Sequence, residues 1–121
     1  EESFDYIYCS HVLEHIKDDK KAMRELNRVL KKDGWAILLV PIMTKGPTEE
    51  DHSINTPAER MKHYGHPDHV RNYGCDYKKR LEESGWKVEV IYAEDFLTTK
   101  EIELMGITKA AGEIYFCTKK R

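Results

Sequence analysis

The chain has 121 residues, of which 40% are hydrophobic and 35% are charged, and 20 basic against 22 acidic side chains give a net charge of −2. This length predicts one domain or less, and no apolar run approaches the roughly 18 residues of a membrane-spanning helix. The balanced charge gives no bulk attraction to nucleic acid or anionic lipid. Three cysteines without a secretory signal at the start predict reduced thiols and a cytoplasmic location.

The first third of the sequence predicts a strand, a helix and a second strand. A short aromatic and β-branched run over 4–9 is typical of a strand. Apolar residues at helical spacing predict a helix over 19–32, with Gly34 as its left-handed stop. The continuously apolar run 35–40 is typical of a strand covered on both faces, as in a parallel sheet between helical layers.

The middle of the chain, residues 42–75, shows neither helical nor strand periodicity. All four prolines lie in it or at its edge, together with four of the six histidines. An irregular stretch of this length inside a domain is usually functional or disordered. Within it, Pro57 preceded by Thr56 predicts a short helix over 57–64.

The last third predicts a helix over 76–84 that ends at Gly85, followed by an alternating strand over 87–92. A capping-box pattern starts a helical turn over 98–106, and the apolar run 114–117 predicts a final strand. The element order argues for an α/β layered fold in which the first two helix-to-strand passages are right-handed parallel crossovers. The last two strands can pair antiparallel.

Three segments carry a family resemblance when they are read in order. They are DYIYCSHVLEHI over 5–16, AMRELNRVLKKDG over 22–34 with the strand that follows it, and YKKRLEESGW over 77–86. Together they resemble the class I S-adenosylmethionine-dependent methyltransferases, and most closely the small-molecule branch that includes enzymes of quinone biosynthesis. The resemblance implies a partial Rossmann-like sheet of parallel strands, with a terminal antiparallel strand inserted between two earlier ones and helices packed on it.

One part of the family pattern is missing. In that family a glycine-rich turn after the first strand holds the methionine end of S-adenosylmethionine, and an acidic residue after the second strand binds the ribose. The seven glycines here are at 34, 46, 65, 74, 85, 106 and 112, with no G-x-G among them. By this comparison the strand over 4–9 resembles the fourth strand of the family. We therefore expect residues 1–121 to be the C-terminal part of a single methyltransferase domain, inactive alone.

The resemblance also implies where the cofactor and the chemistry lie. Four residues at the end of the first strand would line the cofactor: Cys9, Ser10, His11 and Val12. His11 is the best candidate there for a catalytic role, with an unliganded polar turn as the alternative. Glu14 and His15, a few residues later, are expected to be caps or exposed surface.

Residues 42–75 are expected to form the acceptor-side loop. His66 and His69 are candidate catalytic bases, because imidazole titrates near neutral pH. Asp68, Arg71 and Tyr73 are candidate binding residues for a polar or anionic small molecule. An exposed polar loop without a ligand is the alternative interpretation.

The spacing of His63, His66 and His69, with Asp51 and His52 upstream, invites a metal interpretation. However, a proline at 67 breaks the helix that would present the three imidazoles together, and no thiolate pair supports the site. We therefore assign no metal ligands here and keep a metal site only as the less favoured alternative.

Three functions are carried forward. The first is S-adenosylmethionine-dependent methyl transfer to a small-molecule acceptor. The second is a non-catalytic, self-associating half-domain or interaction module, which would form a homodimer through the exposed edge of the strand over 4–9. The third is a metal-dependent hydrolase that uses the histidine-rich loop. Neither a membrane nor a nucleic acid is an expected partner, since the basic stretches 78–80 and 119–121 lack interleaved aromatic residues.

Overall fold

A computed structural model describes residues 2–107 and 113–120. The strands within these residues are β1 (Phe4–Ser10), β2 (Leu30–Leu39), β3 (Trp86–Tyr92) and β4 (Glu113–Lys119). The α-helices are α1 (Asp19–Val29), α2 (Pro57–Tyr64), α3 (Tyr77–Glu83) and α4 (Thr99–Met105). Single 3-10 turns follow β1 at Leu13–His15 and β3 at Ala93–Asp95. Two residues of the sequence patterns, Gly112 and Arg121, lie outside the described residues.

The four strands form one mixed sheet in the order β1-β2-β4-β3. β1 and β2 are parallel, and β4 runs antiparallel to both of its neighbours, β2 and β3. The α/β class is thus confirmed, together with the insertion of the last strand between two earlier ones. The alternating strand β3 is the edge strand that its pattern predicts.

The core lies between one face of the sheet and the helices α1 and α3. The side chains that fill it share complete or nearly complete burial, and they include Met23, Ala36, Leu38, Leu81, Trp86, Val88 and Cys117. Buried polar atoms in this layer are paired: the indole N–H of Trp86 donates to the Met23 carbonyl at 3.1 Å. The hydroxyl of Tyr77 likewise donates to the Leu38 carbonyl at 2.9 Å. Burial and hydrogen bonding therefore fix both helices on the same side of the sheet.

The opposite side of the sheet differs from the sequence prediction that β2 is covered on both faces. Phe4, Tyr6 and Tyr8 of β1 are 54%, 64% and 68% exposed, and Trp35 of β2 is 38% exposed. We call these residues, together with Phe116, the aromatic face. The ring centroids of Tyr6 and Trp35 are 5.3 Å apart, and those of Trp35 and Phe116 are 5.9 Å apart. Among the described residues the aromatic face packs on itself and has no helical layer over it.

Helix α1 ends earlier than the sequence pattern predicts. The helix stops at Val29, and Leu30 already pairs with Phe4 of β1, three residues earlier than the sequence pattern predicts. Gly34 is not a left-handed stop, because it lies inside β2 without a positive φ. Its backbone packs so closely that a Cβ would lie 2.6 Å from the Asp5 carbonyl oxygen. Strand pairing to β1 therefore overrides the helical pattern.

The other helix predictions are confirmed. Thr56 caps α2 by accepting a hydrogen bond from the Glu59 N–H at 3.2 Å. Gly65, Gly85 and Gly106 close α2, α3 and α4 in left-handed conformations, with φ of 77°, 98° and 69°. Of the helices described, none has both the length and the apolar character needed to cross a membrane.

Candidate functional site

The turn after β1 exposes a histidine with strained backbone. His11 has a φ of 55°, in the left-handed region that non-glycine residues rarely adopt. Its N–H donates to the Leu39 carbonyl at 2.9 Å, and its side chain is exposed. Strained residues are concentrated at functional sites, and ligands of α/β sheets bind at the carboxyl ends of parallel strands. The structure thus places His11, with Ser10 before it, at the edge where a ligand is expected.

The two residues flanking this pair contribute apolar surface. Cys9 is half-buried, and burial raises the pKa of its thiol, with a further increase from the Glu14 carboxylate. The thiol is therefore protonated near neutral pH and is a weak nucleophile. Val12 is 44% exposed beside His11.

Three histidines from two distant segments meet close to this turn. His15, His66 and His69, which we call the histidine cluster, offer nitrogen atoms that all lie within 4.8 Å of one another. The ring centroids of His15 and His69 are 4.7 Å apart, and those of His66 and His69 are 4.5 Å apart. The structure brings the two predicted catalytic histidines of the loop together, but with His15 rather than with His11.

Backbone contacts hold the two segments in this register. The Val70 N–H donates to the Glu14 carbonyl at 2.9 Å. Nδ1 of His15 lies 3.2 Å from the Asp68 carbonyl oxygen, and the Asp68 N–H donates to Nδ1 of His66 at 3.0 Å. Asp68 therefore contributes its backbone to the cluster.

Arg71 lies beneath the loop and is fully buried. Its guanidinium donates to the carbonyl oxygens of Leu13, Ile16 and Lys17 at 2.7, 2.6 and 2.8 Å. It also donates to the Glu50 carboxylate at 2.7 Å. These bonds tie the loop to the turn after β1.

Tyr73, the third predicted binding residue, is also fully buried. Its hydroxyl donates to the Asp19 carboxylate at 2.5 Å. Like Arg71, it has protein partners for its polar atoms and no exposed surface. The structure thus places both residues under the site, where they hold its shape.

Buried polar atoms without hydrogen-bond partners lie in the histidine cluster and beside it. Among the described residues these include Nδ1 of His69 and Oε1 of Glu14. Burial lowers the pKa of His69, and the neighbouring imidazoles of His15 and His66 lower it further, against the opposing effect of Glu14. Glu14 is 2% exposed, so the expectation that it is a surface residue is wrong. The Glu14 carbonyl accepts a hydrogen bond from the loop residue Val70, so the segment that carries Glu14 is packed against the loop.

Two cavities open near the site. The first, of about 570 Å³, adjoins the histidine cluster. Its polar lining residues include His15, Lys17, Asp51, His52, Arg60 and Asp68. The second, of about 550 Å³, lies where β2 and β3 end, and includes Ile42, Thr44, Lys45, Cys75 and Tyr92.

The sequence analysis missed His15 and Glu14 as members of the site. Their position directly after β1 could have predicted it. The segments that follow two neighbouring parallel strands, here β1 and β2, meet at the same edge of the sheet. His63, which the regular spacing would include, is an exposed residue of α2 outside the cluster.

Comparisons with known proteins give matches to methyltransferases. Residues 1–38 match the sequence model of the methyltransferase domain family. The uncharacterized methyltransferase YcgJ of Bacillus subtilis (strain 168) is 32% identical over 71 residues, which are 59% of this chain and 26% of that protein. The resemblance to methyltransferases is confirmed.

Solved methyltransferase structures share the fold of this chain. An S-adenosylmethionine-dependent methyltransferase from Mesorhizobium loti superimposes with a TM-score of 0.61 at 16% identity, over 97% of this chain and 62% of that one. A Haloferax volcanii protein, solved in complex with the Trm112 methyltransferase activator, gives 0.61 at 12% identity, over 100% and 56%. The chain thus spans about a quarter of its curated relative and less than two thirds of these structures.

Proposed function

We propose that this chain is part of a methyltransferase that transfers the methyl group of S-adenosylmethionine to a small-molecule acceptor. The observation that carries the proposal is the match of residues 1–38 to the methyltransferase domain family. The matched segment contains β1 and the turn that follows it, where His11 is exposed and has a strained backbone. A balanced net charge of −2 supports a small acceptor over a nucleic acid. Three free cysteines support a reducing compartment such as the cytoplasm.

The residues at this edge fit one side of the cofactor. Ser10, His11 and Val12 would hold it at the carboxyl end of β1, with Cys9 as apolar support. When bound, S-adenosylmethionine supplies an electrophilic methyl group, and alignment then provides most of the catalysis. The absence of a G-x-G turn from the sequence leaves the methionine end without its usual backbone cradle. We therefore expect this chain alone to be inactive.

The acceptor would occupy the 570 Å³ cavity beside the histidine cluster. His15 of the cluster lines this cavity, and the lowered pKa of His69 leaves that neighbouring imidazole unprotonated near neutral pH and available as a base, with His66 stacked against it. Asp68 lines the same cavity and can bind a polar group. Arg71 and Tyr73 would not touch the acceptor. They would hold in place the loop that carries His66, Asp68 and His69.

Two measurements test this proposal. Calorimetric titration of the chain with S-adenosylmethionine should show no micromolar binding, and tight binding would contradict our account of the missing glycine turn. The protein expressed from its complete reading frame should transfer a labelled methyl group. There His11→Gln should lower kcat/KM by about tenfold or more, a loss of at least about 1.4 kcal/mol of transition-state stabilisation. The exposed His63→Gln is the matched control, and equal activity of both variants would remove His11 from the site.

A second function is favoured by β1 itself. It is one of the two edge strands of the sheet in the described residues, and three of its aromatic side chains are more than half exposed. Exposed strand edges and contiguous apolar surface recruit partners. We propose that this edge mediates homodimerisation.

A further inference from the structure

The histidine cluster has the composition of a metal site. We propose that His15, His66 and His69 bind a divalent transition-metal ion, with Zn²⁺ as the preferred ion. Imidazole nitrogen is a standard ligand of Zn²⁺, with bonds of about 2.0–2.1 Å. The three candidate nitrogens already lie within 4.8 Å of one another, so small ring rotations would bring them around one ion. This inference goes beyond the proposed methyl transfer and does not depend on it.

Unsatisfied buried atoms support a cation at this place. Nδ1 of His69 is buried with no hydrogen-bond partner. Glu14, which is 2% exposed, has an unpartnered Oε1, and its Oε2 lies 3.9 Å from Nε2 of His15. A buried carboxylate and a buried lone pair are both costly without a partner. A cation bound by the imidazoles could give Nδ1 of His69 a partner and would place a positive charge near the Glu14 carboxylate.

The surroundings orient the proposed ligands. Nδ1 of His15 can donate to the Asp68 carbonyl at 3.2 Å, which leaves its Nε2 lone pair for the ion. Metal-bound histidines usually make such a bond through the second ring nitrogen. Nδ1 of His66 instead accepts from the Asp68 N–H, so coordination by His66 requires that this hydrogen bond be released. Arg71 and the Val70–Glu14 backbone bond keep both segments in place.

The donor set also selects the kind of ion. Three neutral imidazoles favour Zn²⁺ and related transition ions, whereas Mg²⁺ and Ca²⁺ prefer oxygen ligands. Three protein ligands leave a fourth position open on Zn²⁺. His15 also lines the 570 Å³ cavity, so that position is accessible to water or to an acceptor atom. In this assignment His66 and His69 act as ligands when the ion is bound and are free imidazoles only in the metal-free chain.

The geometry also explains why the sequence spacing is misleading. The regular 63-66-69 pattern cannot bind one ion through a continuous helix, because α2 ends at Tyr64 and Gly65 turns the chain. His15, which is 51 positions before His66, takes the place of His63 in the cluster.

The test uses protein without a histidine tag, stripped with a chelator, dialysed and titrated with ZnCl₂ by calorimetry. We expect one ion per chain. His15→Gln and His69→Gln should each weaken binding at least about 10–100-fold, since even the outer partners of metal ligands have effects of that size. His63→Gln, in the preceding helix but outside the cluster, is the matched control and should bind like the wild type. Circular dichroism of each variant establishes that it is folded.

A second measurement does not depend on variants. Titration of the wild type with CoCl₂ should produce the intense visible absorption of a four-coordinate cobalt site, and equimolar ZnCl₂ should abolish it. Absence of both zinc binding and this absorption would overturn the proposal, as would equal weakening by His63→Gln and His69→Gln. Neither measurement involves S-adenosylmethionine. If the zinc site is absent, the methyl-transfer proposal still stands, and if methyl transfer is absent, the zinc proposal still stands.

Discussion

Asp19 links the start of α1 to α3 and to the loop. Its carboxylate accepts hydrogen bonds from Tyr73 and, through both oxygens, from Arg80 at 2.7 Å. Arg71 lies 3.8 Å away. Burial by itself raises the pKa of Asp19, but the hydrogen bonds from Tyr73 and Arg80 and the two guanidinium charges outweigh it, so the pKa is lowered. The ionised carboxylate therefore contributes stability in the folded state.

We predict that Asp19→Asn lowers the free energy of unfolding by about 3 kcal/mol near pH 7, because the buried Arg71 and the partly buried Arg80 lose one of their two counter-charges and keep only Glu50. The contribution is present above the unfolded pKa of about 3.9 and is lost as the pH falls through the lower folded value. Urea unfolding near pH 7 and near pH 3 should therefore show the gap between wild type and variant shrinking in acid.

Asp18→Asn is the control for this prediction. Asp18 is the neighbouring residue and caps α1 by accepting from the Lys21 N–H at 3.0 Å. Asparagine caps about equally well, so this variant should stay within about 0.5 kcal/mol of the wild type. Equal losses in the two variants, or a gap that does not change with pH, would contradict the role given to Asp19.

At the scale of elements, the pairing of β1 and β2 depends on one close approach. The register shifts between Phe4 and Tyr6, where residues 31–34 of β2 depart from regular pairing. Gly34 ends this irregularity, and a Cβ there would meet the Asp5 carbonyl oxygen at 2.6 Å and Leu30 Cδ1 at 2.7 Å. Only a residue without a side chain allows the two strands to come this close.

Gly34→Ala should therefore destabilise the protein by about 1–3 kcal/mol, because backbone and core atoms must move to accept one methyl group. Thermal unfolding followed by circular dichroism measures the effect. Gly46→Ala is the matched control, since a Cβ there meets nothing within 4 Å and its φ is not positive. If both substitutions had the same effect, the close approach at Gly34 would not limit β1–β2 pairing.

The elements predicted well from sequence are those with local causes. α2 has its bounds set by Thr56, Pro57 and Gly65, which act on their own neighbours in the chain. The end of α1 was predicted wrongly because Leu30 satisfies the helical pattern but pairs with β1. The histidine cluster was missed for the same reason, since its geometry depends on contacts between residues more than 50 positions apart. Local signals predict caps and turns, whereas tertiary pairing decides where two segments meet.

At the scale of the whole molecule, the sheet is asymmetric. One face carries the helices and the core, and the other carries the aromatic face. An apolar surface of this kind is normally an interface. The proposed homodimer would extend the sheet at β1 and cover part of that surface.

Sedimentation velocity over a range of concentrations tests this dimer. The wild type should show a monomer–dimer equilibrium, and Tyr8→Lys on the edge strand should shift it toward the monomer, since charged residues protect exposed strand edges. Phe96→Lys, at a residue 61% exposed but outside the aromatic face, should leave the equilibrium unchanged. A wild type that stays monomeric at high concentration would contradict self-association.

The two tryptophans lie on opposite sides of this sheet. Trp86 is fully buried with its indole N–H bonded to the Met23 carbonyl, whereas Trp35 is 38% exposed between Tyr6 and Phe116. The intrinsic fluorescence therefore has two components in different environments. Trp86 emits from a rigid apolar setting and changes when the core unfolds. Trp35 is open to a soluble quencher and changes when anything covers the aromatic face, so quenching distinguishes a change at this face from unfolding of the core around Trp86.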